Sequence, residues 1–192
     1  MTNVTAEPDF GLAIINSVIE HDFERLRVYV HQNVQDSDDL ALLDASVLEV
    51  TATLARRAQK FANIDSLSQK TWGSVIGKSR TIPKGIPVNP EWLRADIDTF
   101  ISDVLSPYIN SGLYELDVPT ESDERGTPYD EMLIHAYAVA LSGAAFVKGV
   151  SSTISSYGSP SDILSRLHEY FELMRARGEE YATVELVTED ER

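Results

Sequence analysis

Four histidines and a large excess of carboxylates are the side chains from which this chain could build a metal or hydrolytic site. Glu131 and His135 lie four residues apart, as do His168 and Glu172, so each pair shares one face of a helix. Carboxylate–histidine pairs of this kind form metal centres in helical bundles, where a Glu-x-x-His repeat supplies the ligands. That repeat does not occur around His21, His31, His135 or His168. The expectation is therefore no metal ligand and no cofactor. A metal-dependent helical-bundle enzyme using His21, Glu131, His135 or His168 is the catalytic alternative. There is no cysteine, which removes disulfides, thiolate catalysis and Cys-based metal sites together. Serine is abundant, but no G-x-S-x-G elbow presents one as a nucleophile. No catalytic residue is assigned.

Two short motifs resemble known sites. Gly73-Ser-Val-Ile-Gly77-Lys78-Ser79 resembles a phosphate-binding P-loop with one residue missing between its glycines, Trp72 standing where the first glycine belongs. A P-loop wraps phosphate with backbone N–H groups between a hydrophobic strand and a helix. Here the polar run Ser66 to Thr71 precedes it and Pro83 follows, so a flexible loop is expected instead. His21-Asp22 resembles the metal-binding dipeptide of HD hydrolases, which needs further His and Asp ligands on other helices.

The distribution of charge is more informative. The whole chain carries −15. Residues 50–90 hold seven basic side chains (Arg56, Arg57, Lys60, Lys70, Lys78, Arg80, Lys84) against Asp65 alone, so this segment carries +7 − 1 = +6. Residues 1–49 carry −8 and residues 91–192 carry −13. A basic island in an acidic protein can capture an anion or an acidic protein surface, or it can dock on its own acidic flanks. The expected contact is Lys78, Arg80 and Lys84 with Trp72 and Trp92 as aromatic anchors, and the expected partner is a protein with an acidic surface. The net negative charge argues against nucleic acid. Dense carboxylates at Asp36–Asp39, Glu121–Glu124 and Glu179–Glu191 carry a further alternative, an inhibitor that mimics a nucleic-acid backbone. The reading that covers most of these features is a non-catalytic, cytoplasmic interaction or regulatory protein. The lack of cysteine fits a reducing compartment. Met1 to Phe10 has neither the basic nor the apolar region of a signal peptide. The most apolar stretch, Ala136 to Val150, is broken by Lys148 and is short of the roughly 18 to 20 residues that span a bilayer.

The elements that must position these residues read as helices. Phe10 to His31 makes one or two, with a break near His21 and Asp22 as a cap. Asp36-Ser37-Asp38-Asp39 places acids at the start of the next helix, where the macrodipole favours them. Leu40, Leu43, Val47, Val50 and Leu54 then repeat at spacings of three and four. Such a stripe seals against another helix of the chain, or against a second copy in a homodimer. A long loop, 63–89, follows, cut by Pro83 and Pro87. Asn89-Pro90-Glu91 restarts a helix, Ser106-Pro107 starts a short one, Thr127-Pro128 opens another and Ser159-Pro160-Ser161-Asp162 opens the last, ended by Gly178. The fold class expected is all-α: one bundle-like domain of five or six helices over 1–178, with a basic loop between the second and third major helices. An acidic, partly disordered tail is expected at 179–192, with a possible short strand at Tyr181 to Val187.

Overall fold

The computed structural model describes residues 8–61, 82–111 and 129–178, and among them the regular elements are helices without strands. Six helices make up the described residues: α1 (Pro8–Ile19), α2 (Phe23–Asn33), α3 (Ser37–Phe61), α4 (from Pro90–Phe100, extended as given next), α5 (Tyr129–Thr153) and α6 (Pro160–Ala176).

Local chemistry sets most of the boundaries. His21 adopts φ 55°, the left-handed conformation that closes a helix. The Asp22 N–H donates to the Ser17 carbonyl and that of His21 to Val18, the two bonds of a Schellman stop. The Asp22 carboxylate then accepts from the Arg25 N–H and starts α2. Asp36 accepts from the Asp39 N–H, and Asp39 reaches back to the Gln35 N–H, at the head of α3. Asn89 caps α4 ahead of Pro90. At α6, Ser159 and Asp162 exchange bonds in a full capping box, each satisfying a backbone donor that the first turn leaves open.

The short helix expected from Ser106-Pro107 is present as Ser106–Ser111, joined to the helix before it rather than separated from it. After Phe100 the chain takes a π turn at Ile101–Leu105 and continues as Ser106–Ser111, with the Ser106 N–H reaching the Ile101 carbonyl. The wider turn accommodates Pro107, which has no N–H to offer an α-helical ladder. Helix α5 runs on through the serines that follow Val150, as far as Thr153, before a 3-10 turn at Ser155–Tyr157.

Helices α3 and α5 are the centre of the bundle. Helix α1 packs on both, α4 lies mainly on α5, and α6 closes against α1 and α5. Leu43, Val47, Val50 and Leu54 are fully buried inside the chain, with Leu40 partly buried. The stripe is therefore an intramolecular seam, and the homodimer expected through these residues has no exposed seam to use. The apolar helix Glu131–Thr153 is, by length and composition, able to cross a membrane, and 78% of its most apolar stretch is buried inside the protein.

Close approach depends on two glycines. A Cβ on Gly11 would stand 2.7 Å from the Ser46 carbonyl oxygen, while the Gly11 N–H donates to Ser46 Oγ at 2.6 Å. A Cβ on Gly143 would meet Ile15 at 2.8 Å. Gly143 on α5 thus admits α1. Gly11→Ala should push α1 off α3 and destabilise the fold by roughly 1–3 kcal/mol, the usual cost of overpacking. Chemical denaturation measures it; an unchanged midpoint would mean that α1 is loosely held.

Candidate functional site

The residues expected to bind a partner are only partly described. Trp72, Lys78 and Arg80, together with the Gly73–Ser79 motif, lie outside the described residues, as do most of the 63–89 loop, the Asp117–Gly126 loop and the 179–192 tail. Lys84 and Trp92 are described, and both are exposed. Trp92 sits in the first turn of α4, where the Asn89 side chain accepts from its N–H, and its side chain projects from the bundle at 62% exposure. A tryptophan so exposed is unusual, because its area makes it highly buried on average. Leu93 beside it is fully buried, so the helix start is anchored and its indole is presented on a rigid element.

The basic island is divided by the fold. The Arg57 guanidinium stacks on the Tyr170 ring of α6, 4.6 Å from its centroid. Arg56 lies on the α3 face that carries Glu49 and exerts an electrostatic pull on that carboxyl. Arg56 is half-buried, while Arg57 and Lys84 are exposed.

Three of the four histidines fall in settings of their own. His21 stands edge-on to Phe23 at the α1–α2 turn. His135 does not pair with Glu131, which is exposed. Its Nε2 lies 3.0 Å from both oxygens of Asp44 on α3, and its Nδ1 lies 3.3 Å from Asp96 Oδ2 on α4. All three side chains are at most one-third exposed, and the Phe100 ring stands edge-on to the imidazole. Burial by itself would lower the His135 pKa. The hydrogen bonds and charges of Asp44 and Asp96 outweigh it and raise the value from 6.5 to about 10. Burial pushes the Asp44 carboxyl up, against the pull of His135. The group is thus an imidazolium held between two carboxylates. With both ring nitrogens committed, it ties three helices together and is poorly suited to act as a base or a metal ligand.

His168 has a different environment. It shares a face of α6 with Glu172, as the spacing implied, and Asp9 from α1 joins them. A groove of about 520 Å³ runs alongside, between α1 and α6, and both Asp9 and His168 line it.

One buried acid has no counterpart in the sequence reading. Glu49 is 1% exposed, and neither carboxyl oxygen has a hydrogen-bond partner. Burial raises its pKa from 4.5 to about 7, with Arg56 pulling the other way. Glu49 lies off the Leu43–Leu54 stripe. Residues 45–55 are nevertheless buried all round, with Leu48 the most exposed at 5%. A signal was present: Glu49 is the only charge between Ala45 and Ala55.

Comparison with protein-family models, with curated proteins and with solved structures finds no match for this chain.

Proposed function

We propose that this chain is a non-catalytic interaction protein that engages a protein partner with an acidic surface at the start of α4. The observation that carries the reading is Trp92, a large aromatic side chain held out at 62% exposure by a capped and anchored helix turn. Aromatic side chains presented this way are typical binding anchors. Lys84 is exposed shortly before it, in the 50–90 segment whose seven basic side chains face one acid, +7 − 1 = +6. Exposed basic groups around an aromatic anchor steer an acidic partner and fix its orientation.

The test compares the parent with Trp92→Ala and Lys84→Glu in capture from the native host, at low and at high salt. Loss of a central aromatic anchor costs about 2 kcal/mol or more, close to a 30-fold drop in affinity. Both substitutions should leave the melting curve unchanged, because exposed side chains contribute little to stability. Capture should also weaken as salt rises, since the Debye length falls from about 10 Å at 0.1 M to about 3 Å at 1 M. Capture that survives both changes and is indifferent to salt would remove this surface from consideration.

A further inference from the structure

We propose that Asp9, His168 and Glu172 form a binding site for a divalent transition metal ion, with zinc the best chemical match. The three side chains offer one imidazole nitrogen and two carboxylate oxygens, and these donor atoms all lie within 4.8 Å of one another. Zinc accepts both of these ligand types, imidazole nitrogen and carboxylate oxygen, and its three-ligand sites keep a fourth position open. A tetrahedral ion with bonds of about 2.0–2.2 Å holds its donors roughly 3.3–3.6 Å apart. Donors at the 4.8 Å limit must therefore close by roughly 1.2–1.5 Å, a movement shared between two side chains that half-exposed rotamers can supply.

The electrostatics favour a cation. Arg175 takes one oxygen from each carboxylate, Oδ2 of Asp9 at 2.6 Å and Oε1 of Glu172 at 2.5 Å. That leaves Asp9 Oδ1 buried with no hydrogen-bond partner. A buried acceptor without a donor is costly, and a metal ion would satisfy it. Two carboxylates against one guanidinium leave the cluster at −1 when the imidazole is neutral, so a divalent ion still enters a negative field. Helices α1 and α6 supply the ligands, so metal would tie Pro8–Ile19 to Pro160–Ala176. Because Asp9 and His168 also line the groove beside Leu12 and Leu164, the remaining coordination position would lie next to a space that can hold a water or a small anionic ligand. This site lies on helices other than the one that bears Trp92, and it does not depend on that surface being a contact.

The experiment is titration of the full, chelator-treated protein with zinc chloride, followed by calorimetry and by the imidazole signals of the four histidines in nuclear magnetic resonance. One stoichiometric site is expected, with the His168 ring the one that shifts. Asp9→Asn and His168→Ala should each weaken binding by more than the roughly 10–100-fold that loss of an outer-shell partner costs. His21→Ala, at the other end of α1, should bind as the parent does. Circular dichroism of each variant shows that the helices persist, as expected for substitutions at partly exposed positions. Absence of stoichiometric binding, or binding that survives His168→Ala, or a shift confined to another histidine, would overturn the proposal.

Discussion

Replacing His135 by alanine should destabilise the protein by roughly 3–5 kcal/mol near neutral pH, because it leaves the Asp44 and Asp96 carboxylates partly buried, facing each other and without their cation. For a chain of this size that lowers the melting temperature by roughly 2–4 °C per kcal/mol. The effect has a signature in pH. The His135 pKa is raised on folding, from 6.5 to about 10. The folded state therefore holds a proton that the unfolded chain has given up between these values, and stability falls as pH rises through this window. The contribution is complete below about pH 6.5 and is gone above about pH 10. A difference of 3.5 pH units at about 1.36 kcal/mol each gives a ceiling of about 5 kcal/mol, reduced by the partial exposure of the group. Urea denaturation of parent and variant at pH 6.5, 8.5 and 10.5 isolates this from other titrations: the gap between them should close toward the alkaline end. A gap that is absent at pH 6.5, or constant across the range, would show that the imidazolium does not hold α3, α4 and α5 together.

Glu49→Gln should act in the opposite sense and stabilise the protein. The Glu49 pKa is raised on folding from 4.5 to about 7, so the folded state again binds the extra proton and stability falls as pH rises, here between about 4.5 and 7. Above that window the carboxylate is charged in both states, and folding bears the whole desolvation cost. The shift of 2.5 pH units corresponds to about 3 kcal/mol. Glutamine keeps the shape and cannot ionise. Parent and variant should match at pH 4, and at pH 8 the variant should be the more stable by up to about 3 kcal/mol, less the cost of an amide that also lacks partners. Parallel pH profiles for the two proteins would mean that the carboxyl finds water or a donor in solution.

The helix starts and stops were legible because they are local. Asp22, Asp36 with Asp39, Asn89-Pro90 and Ser159 with Asp162 satisfy backbone donors within a few residues, so a reader of the chain sees both partners at once. The seam Leu43–Val47–Val50–Leu54 was legible for a similar reason, since periodicity shows that a face is apolar and must be covered. Periodicity does not say what covers it. That Ser106-Pro107 lies inside a continuous helix depended on a π turn that leaves no mark in composition.

The chemistry of the interior was decided by tertiary structure alone. His135 and Asp44 are 91 residues apart, and Asp9 and Arg175 are 166 apart. No helical spacing connects such pairs. The nearest acid in register with His135 was Glu131, yet α5 turns that acid to solvent and brings the imidazole against α3 and α4. Glu49 shows the same limit from the other side. Its place off the stripe is a property of one helix, whereas its burial is a property of the helices wrapped around it, and desolvation depends on all of them at once. The sequence by itself determined where helices begin and end and which of their faces are apolar, because those follow from hydrogen bonds and side-chain repeats within one or two turns. Which charged groups meet, and which lose their water, was decided only when α1, α4 and α6 closed on α3 and α5.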